Sequence, residues 1–116
     1  MVIIPIVLVL FALWLFLIAP KNRSEMEKFK RVHYAHRGLH NSERAENSMS
    51  AFKAAVDGGW GIELDIRLSK DGKLVVFHDR TLDRVTAKKG KVCDRDYAEL
   101  SQIKLKGSGC TIPLFE

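Results

Sequence analysis

The chain begins with one unbroken apolar run and continues as short alternating and helix-spaced patterns. Residues 2–19, VIIPIVLVLFALWLFLIA, carry no charge. As a helix these residues would span about 27 Å, close to the roughly 30 Å hydrocarbon core of a bilayer. Pro5 falls in the first turn, where its missing N–H costs little. A helix apolar on every side needs more protein around it than 116 residues supply. The run therefore reads as a transmembrane anchor over residues 1–20. A cleaved signal peptide is the competing reading. It fits less well, because nothing basic precedes the run and LIAPKN at its end lacks a small-x-small cleavage pattern.

Further along, residues 32–35 read as a short strand and residues 48–57, SMSAFKAAVD, as a helix. Asn47 is placed to cap that helix, with Met49, Phe52, Ala55 and Val56 on one face. Gly58 and Gly59 then stop it. Residues 61–68 alternate, with Ile62, Leu64, Ile66 and Leu68 apolar and Glu63, Asp65 and Arg67 charged between them, as in a strand. Lys70-Asp71-Gly72 is a turn signal, followed by a strand over 73–77. A second short helix is predicted over 96–103, capped by Asp96. Strand, helix, strand in that order make a βαβ unit with parallel strands. The class is α/β, and in such folds the chemistry gathers at the carboxyl ends of the strands.

Charge adds an orientation. Residues 21–31, KNRSEMEKFKR, form a basic linker with five cations and two acids, so they hold +3 of the chain's formal +5. The positive-inside rule then sets the part beyond the anchor on the cytoplasmic side of a single-pass membrane protein. The same cations suit anionic lipid headgroups. Nucleic acid is a poor partner. Cations elsewhere are interleaved with acids, apart from Lys88, Lys89 and Lys91, which read as a solvated loop. Cys93 and Cys110 form no metal-type or redox-type spacing.

The chemistry lies at the predicted strand exits. His36 and Arg37 end the first strand, Glu63 and Asp65 lie on the second, and His78 and Asp79 end the third. In a barrel, Ile62, Leu64, Ile66 and Leu68 would pack beneath helices while Glu63 and Asp65 point inward, about 6.6 Å apart along the strand. Two buried carboxylates need a partner, and a divalent cation with oxygen ligands is one. The alternative is a polar, solvated strand face. The link before the third strand is too short for a helix. It leaves open a hairpin or a parallel strand, and either brings His78 near Asp65. Two histidines and an arginine beside a metal suit phosphate-ester cleavage. One imidazole takes a proton from the nucleophile and the other protonates the leaving oxygen. Arg37 can hold two phosphate oxygens in its fork. His33 and His40 lack such neighbours.

These residues also carry a resemblance. AHRG at 35–38, ENS at 46–48, GIELDIRLSKDGKLVVFHD at 61–79 and TLDRVT at 81–86 resemble the start of a glycerophosphodiester phosphodiesterase domain, over residues 32–116. The resemblance implies a phospholipase-C-like TIM barrel, of which this chain holds the first βαβ unit and the third strand. It implies hydrolysis of glycerophosphodiesters to glycerol 3-phosphate and an alcohol, in lipid metabolism, with a divalent metal, and the hard oxygens of the visible carboxylates suit Mg²⁺ or Ca²⁺. His36 and His78 would be the acid–base pair, Arg37 the phosphate binder, and Glu63 and Asp65 metal ligands. Ala45 stands where the family usually has proline. A barrel needs about 250 residues, and the family's third acidic ligand and phosphate-binding lysine lie on later strands. The expectation is thus an N-terminal fragment, inactive alone, of a membrane-anchored enzyme. A truncated non-catalytic membrane protein and a related phosphodiesterase acting on lysophospholipids are the alternatives.

Overall fold

A computed structural model describes residues 3–19 and 24–115. The chain divides into two compact units, Met1–Arg31 and Val32–Glu116.

The first unit holds helix α1, Ile3–Ile18, and a 3₁₀ turn, Ser24–Phe29. The large apolar side chains of α1 are exposed all round, from Ile4 at 70% to Leu15 at 45%. The predicted transmembrane span over 1–20 requires correction at this point. The helix has 16 residues, about 24 Å at 1.5 Å per residue, short of a hydrocarbon core. Among the described residues, no helix is long and apolar enough to cross a membrane. Part of the predicted span, and the start of the basic linker, lie outside the described residues.

In the second unit, strand β1 (Tyr34–His36) pairs in parallel with β2 (Gly61–Glu63) across helix α2 (Met49–Asp57). This is the expected βαβ crossover, with β1 two residues later than its sequence signal. Ser48, not Asn47, caps α2: its backbone is extended and its hydroxyl accepts from Ala51 N–H. The buried face of α2 is Ala51, Phe52 and Ala55, while Met49 and Val56 are exposed. Gly38 explains the closeness of β1's exit to this face. Its φ is +79°, and a Cβ there would meet Ala51 Cβ and Phe52 Cδ1 at 2.9 Å, so only glycine fits.

The single strand predicted over 61–68 is two strands. After β2 the chain breaks at Leu64-Asp65, and β3 (Ile66–Leu68) pairs antiparallel with β4 (Leu74–Val76). The break has a cause: Asn47 Oδ1 accepts Asp65 N–H at 3.3 Å, and Phe77 N–H donates to Asp65 O at 2.9 Å. Asp65 is where the chain changes partner. The link to β4 is a hairpin, closed by Gly72 at φ +76° and by Ser69 bonding Lys73 and Asp71. Ile66 and Leu68, expected beneath helices, are about half exposed.

The core lies between β4 and the chain that follows it. Val75, Phe77, Leu82, Leu100, Leu105 and Ile112 are all buried and in one cluster, each worth about 1.5–3 kcal/mol of apolar burial. Ala45, at the expected proline position, joins the same cluster. The helix predicted over 96–103 shrinks to α3, Tyr97–Leu100. Asp96 makes no side-chain cap. Asp71 Oδ1, from the hairpin turn, accepts Tyr97 N–H instead at 2.9 Å. Beyond α3, Lys104 and Leu105 leave helical geometry to bridge Thr111 and Thr86.

Candidate active site

Parallel register sets the first contact. His36 and Glu63 are partners across β1 and β2, and His36 Nε2 lies 3.9 Å from Glu63 Oε2. Both side chains are open to solvent. Arg37 follows in a left-handed conformation, φ 58°, and Asn47 shares it at φ 53°. The two are tied together, since Asn47 N–H donates to Arg37 O at 2.9 Å. Such backbone costs about 1–2 kcal/mol per non-glycine residue, and it clusters where a site fixes it in place.

What this conformation achieves is visible in the side chains. Arg37 N–H donates to Glu63 Oε2 at 3.1 Å, and its Nη1 donates to Glu46 Oε1 at 2.9 Å. Asn47 Nδ2 donates to Asp65 Oδ2 at 3.0 Å. Arg37 Nε sits 3.4 Å from that same oxygen but is not aligned with it. It is a buried donor with no hydrogen-bond partner among the described residues. A buried N–H left over between carboxylates is costly unless something else accepts from it.

A second half of the cluster surrounds His78. Its Nδ1 lies 2.6 Å from Asp79 Oδ1. Arg84 grips Asp79 through Nε and Nη2 at 2.8 and 3.0 Å, and Glu46 through Nη1 and Nη2 at 2.8 and 2.6 Å. Hydrogen bonds from Arg84 and then His78 hold the Asp79 carboxyl far below the usual carboxylate range. Hydrogen bonding to Arg84, and after it to Arg37, lowers Glu46 against the opposing effect of burial. The two acids in turn raise Arg84. An Asp79 that stays ionised can only accept, so the proton of neutral His78 resides on Nδ1 and Nε2 is left for reaction. Arg67 fixes the backbone behind the ring, donating Nε and Nη2 to His78 O at 2.8 and 2.6 Å.

The five residues singled out from sequence thus fall in one connected set. His36 meets Glu63, Arg37 joins Glu63 to Glu46, and Glu46 leads through Arg84 and Asp79 to His78. No hydrogen bond joins His36 directly to His78 among the described residues. The carboxylates of Glu63 and Asp65 offer hard oxygens of the kind Mg²⁺ or Ca²⁺ takes. Among the described residues no three His, Cys, Asp or Glu side chains gather as a metal site. Sequence reasoning gave no chemical role to Glu46, Arg84 or Asp79, and it made Asn47 a helix cap. Their signal was present in ENS, HD and TLDRVT. What was missing was that Glu46 and Arg84, 38 positions apart, meet.

Known proteins resemble this chain in sequence and in fold. A Bacillus altitudinis glycerophosphodiester phosphodiesterase is 44% identical over 90 residues, covering 72% of this chain and 36% of its own length. One from Caldanaerobacter subterraneus is 47% identical over 70 residues, covering 60% of this chain and 28% of its own. Among solved structures, an Oleispira antarctica phosphodiesterase in complex with the product sn-glycerol-3-phosphate superposes with a TM-score of 0.68 at 34% identity, covering 77% of this chain and 38% of that one. An Agrobacterium tumefaciens glycerophosphodiester phosphodiesterase gives 0.63 at 36%, covering 72% and 38%. The chain spans about a third of the length of the curated relatives it matches. Its mixed α/β unit is that of the corresponding part of these neighbours. With the sequence profile of the Glycerophosphoryl diester phosphodiesterase family matching residues 36–116, this chain belongs to that family.

Proposed function

We propose that this chain supplies the acid–base and phosphate-binding half of a metal-assisted phosphodiesterase that converts glycerophosphodiesters to glycerol 3-phosphate and an alcohol. The observation that carries this reading is the connected set of side chains that joins Glu63 through Arg37, Glu46, Arg84 and Asp79 to His78. The product-bound Oleispira antarctica neighbour supports the same substrate class.

Hydrolysis forms one P–O bond from water and breaks the ester P–O bond. One of His36 and His78 takes the water's proton and the other gives a proton to the departing alcohol oxygen, so the pair exchanges protonation states in each turnover. Asp79 fixes the His78 tautomer and the orientation of its ring. Arg37 orients the phosphate and offsets its charge. A divalent cation at Glu63 and Asp65 would neutralise charge on the phosphoryl oxygens. The apolar α1 and the basic residues after it support attachment to an anionic bilayer surface. An anchor of this kind also suits a lysophospholipid substrate.

The test is a chimera in which residues 36–116 replace the matching segment of the Bacillus altitudinis relative. It is expected to hydrolyse glycerophosphocholine, while the chain alone, with two metal carboxylates, is expected to be inactive. A correctly folded chimera without activity would overturn the reading.

A further inference from the structure

Away from the Arg37 cluster, three cations face one cleft. Arg67, Arg80 and Lys91 border a cavity of about 260 Å³, whose other walls are Leu68, Val92 and Cys93. Backbone pairing builds it. Thr81 bridges Lys91, Val92 N–H donates to Arg80 O at 3.0 Å, and Leu82 N–H donates to Gly90 O at 2.9 Å. The backbone positions of Arg80 and Lys91 are therefore fixed beside β3.

The charge there is uncompensated. Among the described residues, the side chains of Arg80 and Lys91 have no carboxylate partner. Arg67 spends two donors on a neutral carbonyl, that of His78, which orients the guanidinium without cancelling its charge. Two acids adjoin the cleft wall in sequence and neither lines the cavity: Asp79, beside Arg80, is held by Arg84 and His78, and Asp94 accepts from Cys93 Sγ at 3.7 Å. Like charges drawn together without a counterion raise one another's energy, and a bound anion relieves this.

We propose that this cleft is an anion site for a phosphate group, distinct from the phosphate position at Arg37 and additional to the hydrolase reading. The guanidinium fork of Arg80, the Arg67 donors not held by the His78 carbonyl and one ammonium suit the tetrahedral oxygens of phosphate. The cleft has room for a phosphate with a small organic substituent. Two sources carry that chemistry, a phospholipid headgroup at a bilayer surface and a free phosphate or phosphomonoester.

Cys93 lines the cleft and is exposed, so its alkylation reports occupancy at this place alone. The full chain in phosphatidylcholine nanodiscs is treated with a neutral thiol reagent, and the Cys93 peptide is followed by mass spectrometry. Inorganic phosphate is expected to slow modification about threefold or more relative to chloride at equal ionic strength, once it exceeds its Kd several-fold. Arg80→Gln with Lys91→Gln should remove the protection. Protection by phosphatidate-containing nanodiscs without protection by free phosphate would assign the site to lipid headgroups. The proposal is overturned if phosphate, chloride and anionic nanodiscs act alike on the wild-type chain, a comparison that needs no variant. Protection that persists in a folded double variant would overturn it as well.

Discussion

Removing Arg84 tests whether the second half of the cluster is a structural clamp. Arg84→Ala deletes four hydrogen bonds, at 2.6–3.0 Å, to two carboxylates. Hydrogen bonds to charged groups contribute about 1.5–3 kcal/mol each where they are well buried. Three facts reduce that here. The Arg84 side chain is 48% exposed, so solvent screens it. Glu46 keeps Arg37 and Asp79 keeps His78. The expected loss is about 2 kcal/mol. At about 4–8 °C per kcal/mol for a domain of this size, that lowers the melting temperature by about 8–16 °C. Arg84→Lys, which keeps the charge but not the fork, should lose about half as much. The pH dependence gives a second readout. Both acids have folded values below their ordinary ones, so the stability they contribute is present above those ordinary values and is lost as pH falls through the folded ones. The gap between wild type and Arg84→Ala should be widest near neutral pH and close in acid. A melting temperature within about 2 °C of wild type at neutral pH would refute the clamp.

Other perturbations separate the remaining contributions. Asn47→Ala loses both hydrogen bonds to Asp65 and forces a Cβ-bearing, non-polar residue to hold φ 53°. It should cost about 2–3 kcal/mol in denaturant unfolding, with Asn47→Gly recovering the backbone part of about 1 kcal/mol. In the chimera, a chelator should abolish hydrolysis and Mg²⁺ or Ca²⁺ restore it, with Glu63→Gln and Asp65→Asn needing more metal; full activity after exhaustive chelation would remove the metal from the reaction.

The sequence made the elements legible where a local signal and the tertiary environment agree. The βαβ order, the Gly58-Gly59 stop and the Lys70-Asp71-Gly72 turn each rest on a few neighbouring residues. The unbroken alternation over 61–68 could not reveal that the chain changes partners at Asp65, because the interruption comes from Asn47, eighteen positions away. For the same reason Asn47, just ahead of the predicted helix, read as the cap of α2. The choice was made by Asp65, which takes the Asn47 side chain and leaves the cap to Ser48. Met49, Val56, Ile66 and Leu68 carry a core-like pattern yet are exposed in this chain, so apolar periodicity gave their faces but not their contacts. The five candidate residues could be singled out because they sit in dense local motifs. The Arg84 bridge between Glu46 and Asp79 was not, since nothing in two separated motifs says that they meet.

The most direct measurement is the turnover of glycerophosphocholine by the chimera with and without His78→Ala. Asp79 holds the Nδ1 side of that ring and leaves Nε2 free, so His78 is expected to carry one of the two proton transfers. Loss of a general acid or base lowers turnover by roughly 10²- to 10⁴-fold, and a fall in that range is expected with the fold intact by circular dichroism. A folded His78→Ala chimera that retains half its turnover would contradict it.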